Sequence, residues 1–126
     1  MKLLLDTNTL IASISEQNAA AERLLDADHD FCVALLSLME LRTVLTKKKQ
    51  LEQSRVEQII DGIAARTDVY ALEREDALRA YRRQTDTLLY PIDCLLFSLA
   101  DGIDAELVTF DTELQDAGAV APGAVS

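Results

Sequence analysis

Four acidic residues lie where predicted strands end or predicted helices begin in this sequence of 126 residues. Asp6 and Asp111 each follow an apolar segment, while Glu40 and Asp93 each fall in the first turn of a predicted helix. In open parallel sheets, ligands bind at the carboxyl ends of the strands. If the first and last strands lie near the middle of the sheet, Asp6, Glu40 and Asp111 share one edge. Asp93 joins them if its helix begins at that edge.

Such a cluster of carboxylates repels itself, and it persists only with raised pKa values or with bound cations. Oxygen ligands without histidine favour Mg²⁺ or Mn²⁺ over zinc, and the only histidine, His29, is interpreted as a surface loop residue. A carboxylate-bound Mg²⁺ lowers the pKa of a bound water and stabilises charge on a phosphoryl group. Because the sequence has neither a Gly-rich phosphate loop nor a Gly-x-Ser-x-Gly elbow, the predicted chemistry is phosphodiester hydrolysis without a nucleophilic side chain.

Each acid also has a purely structural interpretation. Asp6 and Asp111 suit helix N-caps, and Asp93 in a first turn complements the helix dipole. Glu40 completes a Ser-x-x-Glu capping box that starts at Ser37. A functional site is favoured by the shared position of these acids beside strand ends, together with neighbouring polar residues at Thr7, Asn8 and Thr109.

Strands and helices alternate along the chain. Continuous apolar runs predict strands at residues 2–6, 31–36, 69–72 and 106–110. Helices are expected at 7–15, 18–28, 37–49, 53–66, 74–85 and 92–102, and the helix over 74–85 is expected to bury Ala77, Leu78 and Tyr81. This alternation predicts right-handed crossovers and a parallel sheet covered on both faces. The fold class is therefore an α/β three-layer sandwich in a single domain over 1–126, with a tail from about residue 115 that is weakly structured or forms an edge segment.

The composition limits the class of protein further. There are 22 acidic and 12 basic residues, giving a net charge of −10, and 49% of residues are hydrophobic, which excludes a disordered chain. No apolar run approaches the ~18–20 residues needed to span a membrane, and no signal peptide is recognised, so a cytoplasmic location without a membrane partner is expected. Cys32 and Cys94 form no Cys-x-x-Cys pair, so they are expected to be buried free thiols.

The acidic segments resemble a known family. Leu5-Asp6-Thr7-Asn8-Thr9-Leu10 is similar to the opening motif of PIN-domain ribonucleases, and three later segments resemble that family's other acidic motifs in the same order. These segments are Ser37-Leu38-Met39-Glu40-Leu41-Arg42, Ile92-Asp93-Cys94-Leu95-Leu96-Phe97-Ser98-Leu99-Ala100 and Leu107-Val108-Thr109-Phe110-Asp111. The likeness is greatest to VapC-type toxins of type II toxin–antitoxin pairs, and to archaeal members in particular.

This resemblance implies a PIN-like fold and an endoribonuclease that depends on Mg²⁺ or Mn²⁺. It carries over the catalytic and metal-binding roles to Asp6, Glu40, Asp93 and Asp111, with supporting roles for Thr7, Asn8, Thr109 and Glu113. It also implies an RNA substrate, a cognate antitoxin and a homodimer. The antitoxin is expected to place a basic residue or a helix into the acidic groove. The alternative is a non-catalytic PIN scaffold that binds RNA or protein.

Basic residues must cluster, or a metal ion must invert the local field, if so acidic a protein is to hold RNA. Two groups are candidates for RNA binding: Arg42 with Lys47, Lys48 and Lys49, and Arg79 with Arg82 and Arg83. The structural alternative is that the lysines complement a helix dipole and stay solvated.

Overall fold

The computed structural model describes residues 1–14 and 18–125, apart from the side chain of Glu22. Over these residues the strands form one parallel sheet in the order β3-β2-β1-β4. The strands are β1 (Lys2–Leu5), β2 (Asp30–Ala34), β3 (Asp68–Tyr70) and β4 (Glu106–Val108). Strand order could not be predicted because pairing partners are distant in sequence, and β1 proves to lie between β2 and β4.

Helices connect the strands and cover the sheet. They are α1 (Thr7–Ile14), α2 (Ala19–Asp26), α3 (Leu35–Thr43), α4 (Gln53–Arg66), α5 (Arg74–Asp86), α6 (Pro91–Gly102) and α7 (Thr112–Asp116). A π-helical turn, Val44–Lys48, extends α3, and a 3₁₀ turn, Pro122–Ala124, lies in the tail. Helix α4 has the predicted bounds at both ends. The other predicted elements are present with boundaries that shift by a few residues.

The sheet is buried on both faces because alternate strand residues point to opposite sides. Leu4, Cys32 and Leu107 pack in one hydrophobic cluster with residues of α5 and α6. Leu3 and Val33 belong to a second cluster with residues of α1, α3 and α4. The predicted three-layer α/β sandwich with a central parallel sheet is confirmed, and both cysteines are buried free thiols.

The boundary between β2 and α3 differs from the prediction. Strand β2 ends at Ala34, and α3 begins at Leu35 without a side-chain cap. The predicted capping box is therefore wrong: Ser37 lies inside the helix, fully buried, and its hydroxyl has no hydrogen-bond partner among the described residues. An apolar run of this length does not distinguish strand from helix. As a consequence, Glu40 lies in the second turn of α3 and not in the first.

Helix α5 turns a different face inward from the one expected. Tyr81 is 69% exposed and Ala77 is exposed, whereas Ala80 and Asp76 are buried. Asp76 accepts a hydrogen bond from the backbone N–H of Glu73 and pairs with Arg79 at 2.7 Å. The N-terminal cap and an ion pair thus set the orientation of this helix, and apolar periodicity does not reveal them.

The tail lies beside β4. Val120 forms an isolated parallel bridge with Val108, and its backbone N–H donates to the Leu107 carbonyl at 2.8 Å. Thr109 donates its backbone N–H to the Val120 carbonyl at 3.0 Å, and Pro122 is buried. The tail therefore extends the hydrogen-bonded edge of the sheet and fixes the residues that follow β4.

Candidate active site

The carboxyl edge of the sheet gathers the acidic residues that the sequence singled out. Leu5 pairs with Val108, so β1 and β4 end side by side and Asp6 and Asp111 leave the sheet at the same edge. Helix α3 begins directly after β2, which places Glu40 close to that edge. His29 lies at the opposite edge, before β2, with a partly buried ring packed edge-to-face on Phe31. The interpretation of His29 as a surface residue is therefore only partly right.

Asp6 is held by a dense set of hydrogen bonds. It is 5% exposed, and its Oδ1 accepts from the backbone N–H of Thr9 at 2.9 Å and from the Thr9 hydroxyl at 2.7 Å. Its Oδ2 accepts from the hydroxyl of Thr109. Asp6 thus caps α1, as the structural interpretation proposed, but a carboxylate has about four lone-pair positions. Capping therefore leaves room for a further ligand.

Thr109 connects Asp6 to Asp111. The Thr109 side chain is fully buried, and its hydroxyl accepts from the backbone N–H of Asp111 at 3.0 Å while donating to Asp6. Asp111 in turn accepts from the backbone N–H groups of Glu113 and Leu114, at 2.8 and 3.4 Å, and so caps α7. One hydroxyl therefore links the carboxylate of Asp6 to the backbone of Asp111.

Glu40 is positioned from the neighbouring helix. The Thr7 hydroxyl donates to Glu40 Oε1 at 2.9 Å, which links the first turn of α1 to the second turn of α3. Asn8 is exposed, and its side chain has no hydrogen bond to any other described residue. Of the supporting residues predicted from the sequence, Thr7 and Thr109 contact the acids directly. Thr9 was missed, although its position three residues after Asp6 is the spacing of an N-cap contact.

Asp93 has a raised pKa that reveals its surroundings. Pro91 starts α6 and places Asp93 in its first turn, half-buried. Burial is the largest cause of the raised pKa, followed by the negative charges of Asp111, Asp6, Glu113 and Glu40. Within the described part of the chain, the Asp93 carboxylate has no hydrogen bond or ion pair. Asp93 is therefore the residue at which the charges of the other acids converge.

Among the described residues, no basic side chain forms an ion pair with this acidic cluster. The ion pairs among the described residues are Arg79–Asp76, within α5, and Arg83–Asp101, which joins α5 to α6, and neither includes one of the clustered acids. Uncompensated carboxylates are oxygen ligands of the kind that Mg²⁺ and Mn²⁺ prefer. The donor set therefore fits a hard divalent cation in its chemistry.

The present side-chain positions do not form a finished metal site. Across residues 1–14 and 18–125, no group of three acidic, histidine or cysteine side chains is arranged to hold an ion. The carboxylates are near enough for their charges to raise the pKa of Asp93. They are not turned towards a common point, as binding of a single ion would require. Glu40 and Asp93 are half-exposed, and Glu40 is held only by the Thr7 hydroxyl, whereas buried Asp6 is fixed by several hydrogen bonds.

The two basic groups differ in their contacts. Arg42, Lys47, Lys48 and Lys49 are exposed and take part in no ion pair with a described residue. Arg79 donates to Asp76 and to the Ser98 carbonyl, and Arg83 pairs with Asp101 and stacks over the Phe97 ring at 5.0 Å. Arg79 and Arg83 thus fasten α5 to α6, whereas Arg82 is exposed and makes no such contact with a described residue.

The fold and the edge cluster together define a class: a parallel α/β domain with carboxylates gathered where its central strands end. The chain belongs to the PIN domain family, whose model matches residues 3–120. No curated protein matches it in sequence. In the residues that the structure describes, no helix is long and apolar enough to cross a membrane.

Solved structures of similar fold come from toxin–antitoxin systems. A toxin–antitoxin complex from Klebsiella pneumoniae matches with a TM-score of 0.77 and 21% identity, covering 98% of this chain and 99% of that one. DNA-bound VapBC from Salmonella typhimurium matches with a TM-score of 0.77 and 22% identity over 96% of both chains. VapC20 from Mycobacterium tuberculosis, a sarcin–ricin loop cleaving toxin, matches with a TM-score of 0.75 and 17% identity, covering 94% of this chain and 96% of that one. The TM-scores show a common fold and, at identities below 25%, nothing beyond it. The likeness to archaeal members remains a prediction.

Proposed function

We propose that this protein is a Mg²⁺- or Mn²⁺-dependent endoribonuclease and the toxin of a toxin–antitoxin pair that acts in the cytoplasm. The observation that carries the proposal is the environment of Asp93, whose pKa is raised by burial and by four other carboxylates. A cluster of like charges without a basic partner costs stability unless a cation binds there. Such a cost is typical of a site retained for its chemistry.

The residues have distinct roles in this proposal. Asp6, Glu40, Asp93 and Asp111 hold the cation, and Glu113 lies at the margin of the cluster. A bound divalent ion lowers the pKa of a coordinated water and stabilises negative charge on a phosphodiester. Thr9 and Thr109 hold the Asp6 carboxylate in place, while Thr7 directs Glu40 towards the cluster. Asp93 must lose its proton before it binds metal, so its raised pKa couples binding to pH.

RNA is the proposed substrate because of the family and of the relatives. VapC20 is named as a toxin that cleaves the sarcin–ricin loop, and the relatives from Klebsiella pneumoniae and Salmonella typhimurium are in toxin–antitoxin assemblies. These properties belong to those proteins. They support the proposal for this chain together with its own acidic cluster.

A groove between α1, α2 and α4 supports the proposal of a protein partner. It has a volume of about 620 Å³ and an apolar floor that includes Ile14, Phe31 and Ile59. Arg55 and Arg66 line it, and none of the described residues that line it is acidic, in a chain that has 22 acidic residues. The two arginines are three helical turns apart on α4, or about 16 Å. The groove thus fits an amphipathic helix with acidic side chains, and we propose an antitoxin segment as its occupant.

Replacing Ile59 with glutamate tests this role of the groove. Ile59 is half-buried in its lining, so an added negative charge should repel an acidic helix while the fold remains intact. Co-expression with a candidate antitoxin, encoded by a small gene adjacent to this one, should yield a complex with the unaltered chain and much less with Ile59→Glu. Equal recovery of the complex with both chains would exclude the groove. Size-exclusion chromatography of the purified chain tests the proposed homodimer, for which exposed Leu88 and Tyr90 offer apolar surface.

A non-catalytic PIN scaffold remains the second candidate. It is favoured by the absence, within the described residues, of three carboxylates arranged to hold an ion. Incubation of the purified chain with a mixed RNA pool separates the two functions. The nuclease should cut the pool with Mg²⁺ or Mn²⁺ and stop when EDTA is added. Binding without cutting under every metal condition would favour the scaffold.

A further inference from the structure

Positive charge is concentrated in one short segment of this acidic chain. Residues 42–55 contain five of the 12 basic residues and a single acid, Glu52, so the segment carries +4 in a chain of −10. All five bases are exposed. The segment follows Glu40 directly, and it forms the end of α3, the π-helical turn and the start of α4. A positively charged segment, residues 42–55, therefore follows directly in sequence after Glu40 of the acidic cluster.

The backbone beneath the lysines is fixed. Leu45 is 3% exposed and anchors the π-helical turn in the core. Gln50 adopts a left-handed conformation with φ of 53°, and the backbone N–H of Leu51 returns to the Leu45 carbonyl at 3.1 Å. A left-handed residue followed by a returning N–H is a common way to end a helix. Lys47, Lys48 and Lys49 thus project from an ordered helix end and not from a loose loop.

These lysines are free to meet an external anion. None of them forms an ion pair with a described residue, whereas Arg79 and Arg83 are committed to Asp76 and Asp101. The lysines lie seven to nine residues beyond Glu40, which is about 10–14 Å along the helix axis. Arg42 lies two residues beyond Glu40 and therefore points to a different side of the helix. A chain of phosphates that passes over Glu40 and follows the helix axis would meet the lysines about two turns further on.

We propose that single-stranded RNA lies along α3, with Lys47 to Lys49 contacting the phosphates on one side of the bond to be cut. The proposal rests on the proposed function, because it takes the acidic cluster as the cleavage site. Arg79 and Arg83 hold α5 against α6 and do not contact the RNA strand in this proposal. The lysines bind substrate and its transition state alike, so they contribute to affinity and not to the chemical step.

Salt dependence of binding tests this assignment. Binding of a short single-stranded RNA is measured in the Asp93→Asn background, where cleavage does not interfere, between 50 and 200 mM salt. The test variant is Lys47→Gln with Lys49→Gln, and the control is Arg23→Gln with Arg74→Gln, which removes two exposed charges from α2 and α5. Each lost phosphate contact lowers the slope of log K against log salt by about 0.7. The lysine pair should lower it by about 1.4, and addition of Lys48→Gln by about 2.

The expected difference is large enough to measure. Over a fourfold change in salt, a slope difference of about 1.4 corresponds to about a sevenfold difference in lost affinity. In the cleaving protein, the lysine variants should raise KM and leave kcat within about twofold. The control pair should change neither the slope nor KM.

Several results would overturn the proposal. An unchanged slope in the lysine variants would do so, as would an equal decrease in the arginine control, which would reflect net charge alone. A loss of slope in Arg82→Gln alone would transfer the RNA path to α5. Failure of the unaltered chain to bind RNA would refute the proposal outright. Normal binding with the expected slopes but no cleavage under any metal condition would refute the nuclease function and leave the RNA path standing.

Discussion

Replacing Thr109 with valine is the substitution that tests the construction of the site most sharply. Valine has nearly the same shape, so it leaves no cavity, but it lacks the hydroxyl. That hydroxyl is fully buried, donates to Asp6 Oδ2 and accepts from the backbone N–H of Asp111. Its removal deprives a buried carboxylate of one donor and leaves a backbone N–H without its acceptor.

The size of the effect follows from these two contacts. A hydrogen bond to a charged group contributes about 1.5–3 kcal/mol, and a neutral one about 0.5–1.5 kcal/mol. Asp6 retains both bonds from Thr9, which limits the loss at that carboxylate. We therefore expect Thr109→Val to lower the free energy of unfolding by about 2–4 kcal/mol. For a domain of this size the melting temperature should fall by roughly 10 °C.

Urea unfolding in EDTA at neutral pH measures this change without interference from metal. Thr43→Val is the matched control because the Thr43 hydroxyl is exposed and bonds only to the Met39 carbonyl within its own helix. The control should change stability by less than about 0.5 kcal/mol. If Thr109→Val is as stable as the control, the hydrogen-bond network around Asp6 does not have the role we assign to it.

The remaining predictions concern charge, metal and packing. The pKa of Asp93 is raised by burial and by Asp111, Asp6, Glu113 and Glu40, so the native state holds a proton longer than the unfolded chain. Native stability should therefore fall as pH rises from the ordinary aspartate pKa through the raised one. Asp93→Asn should be more stable than the unaltered chain at neutral pH in EDTA, and this difference should disappear in acid. Equal melting temperatures of the two proteins at neutral pH would contradict this. Mg²⁺ or Mn²⁺ at 100 times its dissociation constant should stabilise the unaltered chain by about 2.7 kcal/mol. Calorimetry should find a much smaller stabilisation for the double variant Asp93→Asn with Asp111→Asn. Equal stabilisation of both proteins would mean that the ion binds elsewhere. Gly102→Ala places a Cβ 2.7 Å from Arg79 Nη2 and 3.0 Å from Asp76 Oδ1, but helix propensity favours alanine by about 0.5–1 kcal/mol. Thermal unfolding should therefore show a net change in stability within about 1 kcal/mol. A larger loss of stability would show that Arg79 cannot move aside.

Local patterns predicted the elements well where one pattern dominated. Helix α4 has an apolar face at helical spacing, and its bounds, Gln53–Arg66, agree with the prediction. The apolar run over residues 31–36 has no periodicity that distinguishes strand from helix, so the predicted boundary between β2 and α3 lies two residues too late. The inward face of α5 was missed because it is set by the cap and ion pair of Asp76.

Prediction of the site had a different limit. Carboxylates beside strand ends indicated which acids would share an edge, and β1 and β4 do end side by side. The contacts between Thr7 and Glu40, and between Thr109 and Asp6, join residues 33 and 103 positions apart. Contacts over such separations depend on strand order, which a single sequence does not contain. For the same reason, the difference between the paired arginines of α5 and the unpaired lysines after α3 became visible only in three dimensions.

The central claim is that the acidic cluster cuts RNA with the help of a divalent cation. Single-turnover cleavage of RNA in Mg²⁺ or Mn²⁺ tests it most directly, with Asp93→Asn compared with Asp61→Asn, a change at an exposed aspartate of α4. Loss of electrostatic stabilisation at the reacting phosphate should slow Asp93→Asn by about 100-fold or more, while Asp61→Asn keeps the original rate and EDTA stops all three proteins. Cleavage by Asp93→Asn at the rate of the unaltered chain, or cleavage that continues in EDTA, would contradict the claim.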